Sequence, residues 1–496
     1  MKTTSSALRS LAPLLAVLVL GAGGCSLAPR YARPAVETPP QFREAASAPG
    51  GPGVIWGPAH PGDAAARGHW WELYGDPRLN SLEEQVESSN QDIVAAEAAF
   101  RAARATVVSA RAAFFPTVGT APSYTRSRAS QTLKSTAGGP AGSNPSDITN
   151  EYSLPFDATY EIDFWGRIRN TLTASRAGAE ASAADLATAR LSTEAELAQD
   201  YFQLRAVDAG RQILADTVAS YRQSLDETSA LYRTGIDSEE DVARAQTQLN
   251  TTVAQATDLG VARAALEHAI AVLTGKPPAG FSLAVAPFDA RPPPVPVGVP
   301  SDLLERRPDI SAAERRAAAV NAAIGVARSA YFPRLVLGTS GGWQSGEAAR
   351  WFDWPSRFWS IGPELAATLF DNGVRRAQTE QADAAFDEAV AHYRQTVLAA
   401  FQSVEDNLAA LRVLDQEARE QRTAVDSSLH LLDLANIRYR TGIASYLNVI
   451  TAQTALLSNR EAELQIQLRQ MISSISLVKA LGGGWTTARL DPAGPS

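Results

Sequence analysis

Leu231-Tyr-Arg-Thr-Gly-Ile-Asp-Ser-Glu-Glu-Asp-Val-Ala-Arg-Ala-Gln-Thr-Gln-Leu249 is answered later in the chain by Arg438-Tyr-Arg-Thr-Gly-Ile-Ala-Ser-Tyr-Leu-Asn-Val-Ile-Thr-Ala-Gln-Thr-Ala-Leu456, with no gap in the alignment. In both, Tyr-Arg-Thr-Gly interrupts a helical pattern. Gly235 and Gly442 suit the left-handed residue that closes a helix, because no Cβ opposes a positive φ. Residues 168–232 hold no proline and keep helical spacing through most of their length. Some 60 residues at about 1.5 Å each reach on the order of 90 Å, longer than an ordinary globular domain. After Gly235, Val242, Ala245, Leu249, Thr252, Ala256, Leu259, Arg263, Leu266, Ile270 and Leu273 step alternately by three and four, the seam of a coiled coil. Ile450, Thr454, Leu457, Glu461, Leu464, Leu468, Met471, Ile475 and Val478 do the same in the second stretch. Each stretch is thus predicted to be the tip of a long helical hairpin, near residues 232–241 and 439–448.

Other parts of the chain recur in the same order. Arg111-Ala-Ala-Phe-Phe-Pro116 returns as Arg328-Ser-Ala-Tyr-Phe-Pro333, and Leu273-Thr-Gly275 as Leu481-Gly-Gly483. The chain therefore reads as a duplicated unit, residues 69–286 and 301–485, joined by a Pro-rich linker at 287–300 and followed by a tail at 486–496. Each half carries two strand candidates, about 117–126 with 152–164, and 334–343 with 358–369. In the clearest, Tyr152, Leu154, Phe156, Ala158, Tyr160, Ile162 and Phe164 alternate with Ser153, Asp157, Thr159, Glu161 and Asp163. A segment of about ten residues with one apolar and one polar face is what crosses a bilayer in a barrel.

The start of the chain supports a membrane setting. Lys2 and Arg9 precede an apolar run from Leu11 to Leu20, and small residues lead to Cys25, the one cysteine. That run is too short to span a bilayer and has the length of a signal-peptide core. Residues 1–24 are expected to be removed, and Cys25 is expected to carry lipid, which explains a thiol with no disulfide partner. Residues 25–68, rich in Pro, Ala and Gly, are expected to form an extended tether. The net charge of −8 argues against a nucleic-acid partner. No later segment is long and apolar enough for a transmembrane helix, so a span must be made of strands in a closed barrel. Four strands per chain fall short of the eight with which single-chain barrels begin, so the barrel is expected to be shared between copies. Two copies would give eight strands and three would give twelve, and strand counting does not choose.

These residues resemble the TolC-like outer-membrane factor family, in its OprM/NodT-type lipoprotein branch. The markers are Trp70-Trp71 with Asp76-Pro77, Tyr160-Glu-Ile-Asp-Phe-Trp-Gly166, Pro300 with Arg306-Arg307-Pro308-Asp309-Ile310, Leu369-Phe-Asp-Asn-Gly373, the two tips, and Ala480-Leu-Gly-Gly-Gly-Trp485. The resemblance implies a mixed α and β membrane protein: a homotrimer with a twelve-stranded outer-membrane β-barrel, continued by a long α-helical periplasmic barrel. It implies an exit duct of a tripartite efflux pump for drugs or other toxic small molecules. The implied partners are a periplasmic adaptor, an inner-membrane transporter of resistance-nodulation-division type, and outer-membrane lipid. Asp241, Tyr439 and Leu447 match gating positions at the periplasmic tip, with a Tyr439–Asp241 hydrogen bond expected. Arg233, Gly235, Arg440 and Gly442 are candidates for adaptor docking. Asn448 and Thr451 stand where many relatives carry aspartate, so the acidic ring of that hairpin is missing.

Enzymatic chemistry finds no support. His60, His69, His268, His392 and His430 are scattered without metal-ligand spacing, and Gly275-Lys-Pro-Pro278 lacks the pattern of a phosphate loop. No catalytic residue, metal or cofactor is expected beyond the lipid on Cys25. Two other readings remain open: a duct of the same fold for type I protein secretion or metal export, and a periplasmic coiled-coil scaffold lipoprotein. Met1 and Met471 are the only methionines, which offers no soft-metal relay.

Overall fold

The computed structural model describes residues 26–46, 69–128, 148–293 and 306–483. Its elements run α1 (Pro77–Ser89), α2 (Gln91–Ala112), β1 (Thr117–Thr120), β2 (Ser123–Arg128), β3 (Ile148–Ile162), α3 (Arg167–Arg233), α4 (Glu239–Leu273), α5 (Pro308–Ser329), β4 (Arg334–Ser345), β5 (Arg357–Ala366), α6 (Val374–Arg440) and α7 (Tyr446–Ala480). The second half matches the first in length as well as order. α2 and α5 have 22 residues each, α3 and α6 have 67, and α4 and α7 have 35. The signal peptide and Cys25, residues 294–300 of the linker, Trp485 and the tail lie outside the described residues.

One compact unit takes in the chain up to Arg33, Arg101–Ala179 and Arg315–Ala391. It holds an antiparallel sheet in the order β1-β3-β4-β5, with β2 also pairing β3. The strand expected at 117–126 is thus broken in two. Thr120 faces Phe156 and Ser123 faces Ser153 in one unshifted register, so Ala121 and Pro122 would fall opposite Pro155 and Leu154. Pro122 and Pro155 both lack an amide hydrogen, and the ladder fails where they meet. β3 and β4 run further toward the loops than the alternation suggested, and β5 ends earlier, at Ala366.

The register sorts the side chains. Through Tyr124↔Tyr152, Leu154↔Trp343, Tyr160↔Leu337, Ile162↔Leu335, Thr339↔Ile361 and Leu335↔Leu365, one face is apolar over its middle. The other face carries Ser153, Asp157, Thr159, Glu161, Ser340, Gln344, Ser360 and Glu364. The apolar face is bare: Trp359 is 80% exposed and Leu365 68%. Aromatic rings gather at both ends of it. Tyr124, Tyr152, Trp351, Phe352 and Trp343 form a chain of contacts at the loop end, with Tyr124 and Tyr152 4.7 Å apart. Trp165 stacks on Phe332 at 4.5 Å near the other end. From Tyr152 to Ile162, at about 3.3 Å per residue and a tilt of roughly 40°, the apolar band is about 25 Å tall.

Two sequence markers prove to be strand-to-helix junctions. Asp163 accepts from the backbone of Ile168 (3.0 Å) and Arg169 (2.9 Å), capping α3, while Arg167 grips Glu161 through two bonds of 2.8 Å. Asp371 accepts from Gly373 (3.2 Å) and Arg375 (3.3 Å) at the start of α6. Gly166 and Gly373 hold positive φ at the two turns. The N-terminal stretch also packs in this unit. Ser26 Oγ donates to Asn170 (2.9 Å), and Asn321 donates to the Pro29 carbonyl (2.9 Å). A Cβ on Gly325 would stand 2.6 Å from Ala28, so the strap lies directly on α5.

The second unit comprises Pro34–Phe100, Glu180–Glu314 and His392 onward. Its main core joins Trp70, Trp71, Leu79, Leu82 and Val86 to Tyr201 and Phe202 of α3, Tyr393 and Val397 of α6, and Met471 and Ile475 of α7. Asp76 caps α1 through Arg78 and Leu79, at 2.8 and 3.2 Å, and also accepts from Tyr201 at 2.6 Å. Asn90 caps α2 and donates to Leu273 at the end of α4 (2.9 Å). Arg307 reaches the Ala480 carbonyl at 3.0 Å, so the Arg-Arg-Pro-Asp marker finishes α7. Here too the described part of the tether is docked, and it is not extended throughout, since Arg43–Ala46 form a helical turn. Phe42 is buried, the amides of Arg43 and Glu44 donate to Glu405, and Arg412 pairs with Glu44 at 2.7 Å.

Candidate functional site at the helical tips

The tips are built by matched helix ends. After α3, the Gly235 amide donates to Tyr232 (2.9 Å) and the Ile236 amide to Leu231 (3.0 Å). After α6, Gly442 donates to Tyr439 and Ile443 to Arg438, each at 2.9 Å. This crossed pair of bonds needs a left-handed residue, and φ is +78° at Gly235 and +72° at Gly442. Three residues later a serine starts the next helix in each hairpin: Ser238 for α4, Ser445 for α7.

The caps then diverge. Ser238 Oγ accepts from the Asp241 amide (3.2 Å) and donates to the Asp241 carboxylate (2.8 Å). Glu239, Glu240 and Asp241 place negative charge in the first turn of α4, where the unpaired amides favour it. Glu240 pairs with Arg244, and its carboxyl is held below the usual range by that hydrogen bond. Ser445 makes no side-chain cap, and Asn448 fills the place of Asp241.

The two hairpins are fastened to each other just above the turns. The Tyr439 hydroxyl donates to the Asp237 carboxylate and lies 3.3 Å from Thr228 Oγ1. Burial, with the Asp237 carboxylate beside it, pushes the Tyr439 phenol up from its ordinary value, so it stays protonated as a donor. Arg440 reaches both oxygens of Glu227, at 3.1 and 3.3 Å. Gln453 donates to Ser224 at 3.0 Å. Ala245, Ala435, Tyr446, Val449 and Ala452 close an apolar cluster over this, with the Tyr446 ring 5.3 Å from Tyr439.

The expected Tyr439–Asp241 bond is therefore not made within the chain: Asp237 takes the phenol and Asp241 serves the Ser238 cap. The signal was present, because the repeat-mate of Asp237 is Ala444, an unmatched acid in an otherwise matched turn. Leu447 is 46% exposed on the first turn of α7, and Ile236 and Ile443 stand out at the two turns. Arg233 is exposed and, among the described residues, bonds its own helix at Ser229 (3.3 Å), whereas Arg440 is engaged between hairpins. The predicted α7 seam holds at Leu464, Met471, Ile475 and Val478, but toward the tip the buried residues are Val449, Ala452, Gln453 and Leu456. A straight helix drifts about 20° per heptad against a strict seven-residue repeat, so a line fitted at one end leaves the contact at the other.

The model of the outer membrane efflux protein family matches residues 82–276 and again 299–483. The chain belongs to this family. The family's match falls twice along the chain, on the two halves that the sequence divides. Among relatives, the chain is 33% identical over 483 residues to the solvent efflux pump outer membrane protein SrpC of Pseudomonas putida, covering 96% of this chain and 98% of that one. It is 30% identical to the pyoverdine export outer membrane protein OpmQ of Pseudomonas aeruginosa, covering 97% and 98%. Among solved structures, the outer-membrane channel OprN superposes with a TM-score of 0.83 at 31% identity, covering 93% of this chain and 100% of that one. The protein is thus an outer-membrane efflux channel, and its sheet and long helices are those of such a channel. No helix among the described residues is long and apolar enough to cross a membrane.

Proposed function

We propose that three copies of this chain close into one tube that serves as the exit duct of a tripartite efflux pump for toxic small molecules. The observation that carries this is the sheet: apolar on one face, polar on the other, about one bilayer tall, with both outer edges unpaired among the described residues. Open edges do not face lipid, so the sheet must be completed by other copies. Three four-stranded sheets give a twelve-stranded barrel with the apolar face to lipid and Asp157, Glu161 and Glu364 toward the water. The paired hairpins of three copies continue it as a helical barrel into the periplasm. Relatives are named for solvent efflux and for pyoverdine export, and on this reading the duct is a passage that does no chemistry of its own.

Cys25 carries the lipid anchor. Its neighbour Ser26 is bonded to Asn170 on the first turn of α3, just past the end of β3, so acyl chains on Cys25 would enter the membrane at the barrel's periplasmic rim. At the other end, the Tyr439–Asp237 and Arg440–Glu227 bonds hold the tip closed. Asp241 sets the start of α4, and Leu447 narrows the opening. Arg233 and the turns at Gly235 and Gly442 face a periplasmic adaptor, which links the duct to an inner-membrane transporter of the proton-driven resistance-nodulation-division type.

The test is deletion of the gene, followed by accumulation of a panel of dyes and antibiotics. Raised accumulation, reversed by the wild type and in part by Cys25→Ser, is the expected result. Unchanged accumulation, with no redundant duct expressed, would turn the reading toward protein secretion or metal export.

A further inference from the structure

Charge on the sheet is divided between its faces. Following the register, the apolar face carries no acid, and its charged residues are Arg126 and Arg128 on β2 and Arg357 on β5. All three lie at the loop end, level with or beyond the aromatic chain of Tyr124, Tyr152, Trp343 and Trp351. The polar face carries Glu151, Asp157, Glu161 and Glu364, with Arg334 at the opposite end. Arg126 and Arg128 are exposed and make no ion pair among the described residues. The Arg357 guanidinium lies over the Trp354 ring, which orients it without neutralising it. Arg350, in the adjoining loop, is already paired with Asp353 at 3.8 Å.

Unpaired arginines on a lipid-facing surface have few uses. Aromatic rings settle at the headgroup level of a membrane, so arginines one step further out lie among the headgroups themselves. Guanidinium matches phosphate through paired hydrogen bonds. We propose that this rim is a seat for the phosphorylated headgroup of an outer-leaflet glycolipid, with Tyr124, Trp343 and Trp354 against its sugar and upper acyl region. The proposal rests on the apolar face being the lipid face of a shared barrel. In such a ring the edge strand β5 of one copy meets β2 of the next, which brings Arg357 beside the next copy's Arg126 and Arg128 and gives one basic seat per seam.

The experiment is native mass spectrometry of the full chain in detergent, with bisphosphorylated lipid A and its dephosphorylated form, acyl chains unchanged, as the two probes. The wild type is expected to retain the phosphorylated form at least about ten-fold better, since each arginine near an anionic surface adds several-fold. Arg126→Gln, Arg128→Gln and Arg357→Gln combined should abolish that preference, while Arg334→Gln on the polar face should leave it intact. Equal retention of the two lipids by the wild type would overturn the proposal, and needs no variant to fold. So would an undiminished preference in the triple variant, or displacement of the lipid by millimolar inorganic phosphate. The same spectra report the oligomer. A wild type that is only monomeric would sink the shared-barrel reading and the seat at its seams together, whereas an oligomer with no lipid preference would sink the seat alone.

Discussion

With the Tyr439–Asp237 contact as the proposed latch, Tyr439→Phe should open the tip, and the structure sets the size of the effect. The phenol gives one hydrogen bond to a carboxylate, Asp237, and approaches one hydroxyl, Thr228. A hydrogen bond to a charged group contributes about 1.5–3 kcal/mol. Asp237 is only half-buried and regains water when the phenol is lost, so the lower end applies. About 1.5 kcal/mol shifts the closed-to-open ratio roughly ten-fold for each copy. The Arg440–Glu227 pair is more exposed, and Arg440→Gln should add only about 0.2–1 kcal/mol. The assay is single-channel recording in planar bilayers, with sensitivity of whole cells to a bulky hydrophilic antibiotic as a second readout. Tyr439→Phe and Asp237→Asn should each lengthen open events, and the double variant should do little more than either, because one bond is removed once. If both leave conductance at the closed level, or if Asp241→Asn opens the tip more than Asp237→Asn, the assignment of the latch is wrong.

Three further outcomes are expected. Glu83 is fully buried, neither oxygen has a partner among the described residues, and burial followed by repulsion from Glu194 and Glu87 pushes its carboxyl up to about 10. An unfolded chain releases that proton near its ordinary value, so the folded state holds it across the interval between, and stability falls as pH rises through that window. Glu83→Gln should flatten the decline in thermal midpoint between pH 6 and 9 and gain on the order of 2 kcal/mol at pH 8; an unchanged slope would count against a neutral Glu83. Gly325→Val should displace the N-terminal strap, because even a Cβ would press on Ala28 and Asn170; limited proteolysis near Pro29 should speed up, at a cost of about 1–3 kcal/mol. Ser238→Ala should fray the start of α4 at a cost of about 1 kcal/mol, read as faster amide exchange at Glu240 and Asp241.

The long hairpins were legible because helix periodicity, the absence of proline and a glycine stop agree over many turns, and the duplication gave each reading a second witness. The strands were legible from alternation, but their ends were not. Pairing depends on both partners, and the break at Ala121–Pro122 arises where Pro122 meets Pro155, more than thirty positions away. The tip shows the same limit. Tyr439 was recognisable as a residue with a task, yet its acceptor is fixed by how the two hairpins meet, and Asp237 and Asp241 lie four positions apart, one in the turn and one in the first turn of α4. The buried Glu83 reads in sequence like any solvated acid on an amphipathic helix, and the core around Trp70 alone gives it away.

The equality of the helices, 67 with 67 and 35 with 35, also bears on how such a chain can change. The Tyr439–Asp237 bond joins a residue of one hairpin to a residue of the other, and each added residue moves a tip by about 1.5 Å. A single insertion in one arm would carry Tyr439 past Asp237 and rotate it by about 100°. Length is therefore inherited as a matched set: a duct of this kind can be made longer or shorter only if four separate stretches of the gene change together, and in steps that restore the same helical face. Anyone re-engineering it to cross a wider periplasm would have to write the same insertion into both halves.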